Sequence, residues 1–499
     1  MRTRLEPPGM VFNSITFILF LSVVLSLYYL PLSWRTHKSI LLAASYVFYG
    51  AWNPPFLLLL WFSTLVDWYA ARKFETVRRE STRKALLLVS LISNLGLLGY
   101  FKYGGFILEN FVALVNASGI PYHPPAPNII LPVGISFYTF QTLSYTIDVY
   151  RRRLRATPSI LDFALFVTFF PQLVAGPIMR AADFLPQLET RKRATSDEMG
   201  WGLTLLCVGL FEKVVLADAI LSPIVERVYA PTANPGFVSA WTGTLAFSGQ
   251  IFFDFAGYST CAIGIAMCFG FALMKNFNYP YAAIGFADFW RRWHISLSNW
   301  LRDYLFFPLF RGRMSVPRLY ANLMTTMLVA GLWHGAAWKF IIWGGLQGVY
   351  MVAEQILRRV FRSRGAAPAA VAPVPSAEGG FVLVPRSLAP LALALLTYIL
   401  FSISLVFFRA ENLASARAII AAMLGRRDVP LALTFDAGVT FAVVTLMLAG
   451  HWKMRNSDLA DFAGRLPSWL RVLVIAFIIT SVLFALLSGD NRAFIYFQF

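Results

Sequence analysis

The chain has 499 residues, of which 58% are hydrophobic and only 14% are charged. A water-soluble core of that size is implausible, and repeated membrane-crossing segments explain the composition more simply. The formal charge of +18, from 43 Lys and Arg against 25 Asp and Glu, fits cytoplasmic loops and anionic membrane lipid; with no nucleic-acid-binding module in the sequence, a nucleic-acid partner is not expected.

A short basic segment precedes the first apolar run, at about 11–31. No small-residue cleavage site follows it, so it reads as a retained helix and not as a signal peptide. Apolar runs continue at about 39–52, 55–70, 85–100, 103–115, 129–149 and 160–173, then 201–220, 238–255, 258–273, 319–346 and 349–360, and finally 388–408, 413–424, 434–450 and 468–487. Several are too short to cross alone, which implies re-entrant or paired segments and about eleven to thirteen crossings. The expected fold class is therefore all-α, a polytopic integral membrane protein in a single membrane domain.

Basic clusters at 72–84, 151–155, 191–193 and 358–364 belong on the cytoplasmic side by the positive-inside rule, and the uncharged loop 122–128 faces outward. Residues 365–380, rich in Ala and Pro, read as a flexible cytoplasmic linker. No internal repeat is visible, so an inverted-repeat transporter is unsupported. Cys207, Cys261 and Cys268 sit in apolar surroundings and read as small buried hydrophobes.

Ionisable groups at membrane depth are costly and usually face a cavity or a partner. In the segment 288–304, Trp290, Trp293, Leu297, Trp300, Leu301 and Tyr304 recur at three- and four-residue steps, predicting one amphipathic interfacial helix that carries His294. Asp288 is spaced to pair with Arg291 or Arg292 on the next turn. By spacing alone, His294 is as well explained by lipid anchoring as by chemistry. His334 falls near the middle of the 319–346 run, bracketed by Gly331 and Gly335, with Trp333 and Trp338 expected to wall a pocket. Interhelical hydrogen bonding is its alternative role. His37, His123 and His451 lie in loops or at span ends and are expected to be solvated. Polar islands at 132–141, 170–177 and 252–259 carry Pro or Gly and predict broken helices lining a cavity, with Gln141 and Asp254 as lining candidates; Asp254 fits equally a carboxylate that orients a basic group there and one at the membrane interface. Ser296 and Asn299, next to His294, and Trp333, next to His334, are further lining candidates. Nothing in the ligand spacing points to a metal.

The run Phe289-Trp-Arg-Arg-Trp-His-Ile-Ser-Leu-Ser-Asn-Trp-Leu-Arg-Asp-Tyr304, followed by Gly331-Leu-Trp-His-Gly335, resembles the membrane-bound O-acyltransferase family. The resemblance is to its bacterial branch for alginate and related polysaccharide acetylation. It runs nearly end to end, through Met10-Val-Phe-Asn-Ser14, Pro132-Val-Gly-Ile-Ser-Phe137, Phe253-Asp-Phe-Ala-Gly-Tyr-Ser259, Phe407-Phe-Arg-Ala410 and Tyr496-Phe-Gln-Phe499. The chain departs from the branch where Ser259-Thr-Cys261 replaces Ser-Asp-Met and where Pro308-Leu-Phe-Arg-Gly-Arg313 replaces Pro-Leu-Gly-Gly-Asn-Arg.

The resemblance implies a ring of helices around a thinned centre and tunnel, in the bacterial inner membrane. It implies acyl transfer, acetyl above all, from a cytosolic thioester such as acetyl-CoA, with no bound cofactor. His334 takes the place of the family's essential histidine and His294 that of the second active-site histidine. A periplasmic or extracellular partner acyltransferase and the polysaccharide machinery are the implied partners. D-alanyl transfer to teichoic acid and peptidoglycan O-acetylation are rivals within the family. A transporter or scaffold with a histidine-lined path is the non-enzymatic rival.

Overall fold

The computed structural model describes residues 10–125, 127–310, 315–363, 388–426, 434–487, 492, 494 and 495. Among them every regular element is a helix. The expected linker at 365–380, the closing motif at 496–499 and residues 311–313 lie outside the described residues.

Among the described residues, six stretches are long and apolar enough to cross a membrane: Glu80–Ala117, Phe237–Cys268, Trp338–Phe361, Ala389–Arg409, Phe435–Met454 and Ser468–Leu487. The chain is an all-α, multi-pass membrane protein. Six is fewer than the crossings expected, in part because runs join and in part because helices are short or, like Phe56–Thr76 with four charged residues, not apolar enough. Runs that Gly or Lys divide in the sequence join in space: 85–100 and 103–115 form one stretch through a π-helical turn at Gly99–Tyr103, and 238–255 and 258–273 largely merge into the helix Phe237–Cys268. Other apolar helices, such as Ile15–Tyr28 with 14 residues and Leu413–Met423 with 11, are too short at about 1.5 Å per residue.

The described chain divides into two compact units. The first comprises Met1–Ser222, Gln250–Asn276 and Leu466–Phe499. Its helices open on side-chain caps where the sequence supplies them: Ser14 accepts from Phe17 N–H, and Thr195 with Glu198 forms a capping box. Burying polar groups without partners is costly, and one cluster of them pairs internally. Asp67 accepts from Ser90 and from Asn94 (2.9 and 3.1 Å), while Thr142 donates to Asn94 Oδ1 (3.3 Å), which ties three helices together. Arg83 donates to Tyr150 O (2.7 Å) and Glu75 accepts from Ala156 N–H (2.8 Å). The segment 72–84 thus meets the chain on either side of 151–155.

The island 252–259 is not a break. Gly257 lies inside a continuous helix, and its lack of a side chain serves a crossing with the helix Ser196–Leu210. A Cβ on Gly257 would stand 2.6 Å from Gly209 O, and one on Gly264 would stand 2.5 Å from Gly202 O. Gly257→Val is therefore expected to destabilise the protein by about 1–3 kcal/mol through overpacking. A lowered melting midpoint in detergent, set against an exposed control such as Gly96→Val, checks this.

The second unit comprises Pro223–Gly249 and Phe277–Arg465. The apolar run 319–346, expected to be one span, is a hairpin of two helices, Val316–His334 and Trp338–Ser363. They cross backbone to backbone: a Cβ on Gly331 would lie 2.3 Å from Phe340 O, and one on Gly344 would lie 2.3 Å from Met327 O. His334 is thus the last helical residue before the bend and not the midpoint of a span. The bend follows at Gly335, where a Cβ would fall 2.1 Å from the Phe340 ring. Only glycine admits that approach.

Candidate active site

The segment 288–304 is also interrupted. A short helix, Phe286–Phe289, gives way to a turn, and a second helix begins at Ile295–Leu301. His294 caps that second helix with φ 44° and ψ 53°, in the left-handed region that non-glycine residues rarely enter. The one continuous helix expected from the apolar spacing is therefore not formed: the strained residue turns the chain and places the histidine inside.

Several contacts hold that conformation. Trp293 stacks on Phe289 (centroids 5.7 Å apart, 15°) and meets Phe401 at 5.4 Å. Ser298 N–H donates to His294 O (2.9 Å), which starts the helix. Asp288 pairs with Arg292 (3.1 Å) and Arg291 (3.6 Å), as the spacing predicted, and also with Arg455 (2.8 Å), 167 positions away. Burial alone would raise the Asp288 pKa, but Arg292, the Ile284 N–H and Arg455 outweigh it and hold the carboxyl below its ordinary value. A depressed carboxyl pKa gives stability that is present at neutral pH and is lost as pH falls through the folded-state value. Asp288→Asn is expected to cost about 2 kcal/mol at pH 7. It should also flatten the acid limb of a melting-midpoint profile, which thermal unfolding from pH 3 to 7 reads.

His294 and His334 come together. Their rings stand 6.5 Å apart at 62°, and both are buried, at 0% and 3% exposure. Trp333 lies 5.6 Å from His294 and 5.1 Å from His334. Trp343 (5.0 Å) and Phe408 (5.4 Å) close the other side of His334. Trp338, expected in this wall, is 55% exposed, because the bend after His334 turns it outward and Trp343 takes its place. Phe408 belongs to the Phe-Phe-Arg-Ala motif, whose Ala410 carbonyl accepts from Lys339 (2.8 Å) at the start of the next helix of the hairpin. That motif was the available signal for the missing wall.

The other candidates are scattered. Ser296 is buried and Asn299 half-buried on the turn that follows His294. Gln141 and Asp254 fall in the first unit. Gln141 donates to Phe166 O (2.8 Å), bonding two helices to each other. Asp254 is 2% exposed; it accepts from Lys213, which also donates to Asp218 (2.9 Å), and from the Ile495 N–H (3.0 Å). Two histidines expected to be solvated are buried instead: His37 bonds Leu30 O (3.1 Å), and His451 accepts from Tyr281 N–H (3.2 Å).

Two imidazoles in a buried aromatic enclosure can take up, hold and return a proton. The family profile described as MBOAT, membrane-bound O-acyltransferase, matches residues 14–371. The chain belongs to the membrane-bound O-acyltransferase family. It is therefore an O-acyltransferase that uses an acyl donor.

Among relatives of this membrane-bound O-acyltransferase is the probable alginate O-acetylase AlgI of Azotobacter vinelandii, 40% identical over 88% of this chain and 83% of that protein. The peptidoglycan O-acetyltransferase of Helicobacter pylori is 30% identical over 92% of this chain and 91% of its own. The teichoic acid D-alanyltransferase of Bacillus subtilis is 31% identical over 48% of this chain and 62% of its own.

Proposed function

We propose that this membrane-bound O-acyltransferase passes an acetyl group from a cytosolic thioester, acetyl-CoA or a similar donor, across the bacterial inner membrane for O-acetylation of an exported polysaccharide such as alginate. The observation that carries the reading is the meeting of His294 and His334 in one buried enclosure. The higher identity to the alginate O-acetylase than to the peptidoglycan enzyme, over comparable lengths, favours a polysaccharide acceptor.

In this reading His334 is the general base. It takes the proton from the acceptor hydroxyl as the oxygen attacks the thioester carbonyl; the new C–O bond forms, the C–S bond breaks and the thiol leaves with a proton. His294 holds the acyl donor or acceptor in place. A thioester is activated enough for a base and good positioning to suffice. A periplasmic or extracellular acyltransferase receives the group and delivers it to sugar.

The test is ester-linked acetate on the secreted polysaccharide of cells lacking the protein, with and without the wild-type chain restored. Acetate that returns with the wild type supports the reading. Acetate unchanged by loss of the protein overturns it and directs the search to D-alanine esters or peptidoglycan.

A further inference from the structure

The loop that delivers His294 begins and ends on strained residues. Tyr279 has φ 48° and His294 has φ 44°, two of only three non-glycine residues with positive φ among those described. Such conformations persist where the surroundings over-determine them. Here the surroundings include the helix Ala389–Arg409, through Thr397 and Phe401, and the end of a second helix.

The helix Phe435–Met454 reaches the loop with two groups four residues apart, which places them on one face. His451, buried at 6% exposure, turns its Nδ1 to the backbone N–H of Tyr281 (3.2 Å). An N–H donor needs a lone pair, so the ring is neutral with its proton on Nε2. The same imidazole stacks on the Tyr281 ring (5.5 Å, 29°) and meets Tyr279 edge-on (5.8 Å, 71°). Arg455, one residue past the helix, donates to Asp288 Oδ2 (2.8 Å) and accepts at its carbonyl from Arg292 Nη1 (3.0 Å). Tyr281 carries the grip inward. Its hydroxyl donates to Ser248 O (2.5 Å), and its ring stands 5.9 Å from Trp293, the neighbour of His294.

We infer that His451 is a positioning residue of the active site. By accepting the Tyr281 N–H it fixes the turn against which Trp293 packs, and so holds His294 in its left-handed conformation facing His334. The inference rests on His294 serving the acyl transfer proposed above. Arg455 anchors the far end of the same loop, but through a carboxylate; His451 acts on the backbone.

Two full-length variants in lipid nanodiscs separate this role from simple packing. His451→Phe keeps a ring against Tyr281 and loses the acceptor. His451→Asn keeps an acceptor near the place of Nδ1 and loses the ring. Hydrogen exchange of amides in 278–294 is expected to accelerate about tenfold or more in His451→Phe, and to stay within about threefold of wild type in His451→Asn. Exchange across the hairpin 316–363 should be unchanged in both. In transfer assays kcat should fall about 10- to 100-fold in His451→Phe with little change in KM, and His451→Asn should recover most of it.

Unchanged exchange in 278–294 with His451→Phe overturns the inference. So does exchange that rises uniformly along the chain, which marks general packing, or full kcat once that loop has loosened. Exchange reads the clamp even if the wild type transfers no acetyl, an outcome that counts against the acetyl-transfer reading alone.

Discussion

His334→Ala is expected to leave the protein in the membrane at wild-type level and to lower acyl transfer by about 10²- to 10⁴-fold, the range that a positioned general base supplies. The fold should survive because His334 is the last residue of its helix, and the close crossing of the hairpin is made by Gly331 and Gly344. Ester-linked acetate on the polysaccharide, measured in cells lacking the chromosomal copy and at matched membrane levels of each version, checks the outcome. A variant that restores acetate as well as wild type would remove His334 from the role of base.

The second large effect lies at His294. Because its φ is 44°, replacement by Ala removes the imidazole yet leaves a Cβ in a disfavoured conformation. His294→Gly removes both. The two variants should be equally impaired in transfer, each down about 10²-fold if the ring holds a reacting group in place. His294→Gly should nevertheless be the more stable by about 1 kcal/mol. Melting midpoints and transfer rates on the same preparations separate strain from chemistry. Equal stability would mean that the left-handed conformation carries no cost here.

Much of the site was legible locally. A histidine in apolar sequence stands out because its burial has a cost wherever it happens, and His294 and His334 are both found buried, side by side. Direction was not legible. Read as one straight helix, the run 319–346 put His334 at mid-span and Trp338 beside it; the contact of Gly335 with Phe340 reverses the chain and exchanges Trp338 for Trp343. His451 was overlooked for a related reason. Its own neighbours look like a span end, and the rings that bury it, Tyr279 and Tyr281, come from about 170 positions earlier.

Composition, hydropathy and charge therefore determined the all-α membrane class, the helical character of the segments and the residue types able to move a proton. These are local properties, set by the transfer free energy of each stretch and by helical periodicity. The tertiary structure alone decided which apolar runs join, where the chain bends and which histidines meet. Those outcomes depend on contacts between distant segments: a carboxylate at 288 against an arginine at 455, a glycine at 331 against one at 344, a left-handed residue at 294 kept in place by its neighbours. No local pattern encodes such pairs, because each side of a contact is stable only when the other is already there.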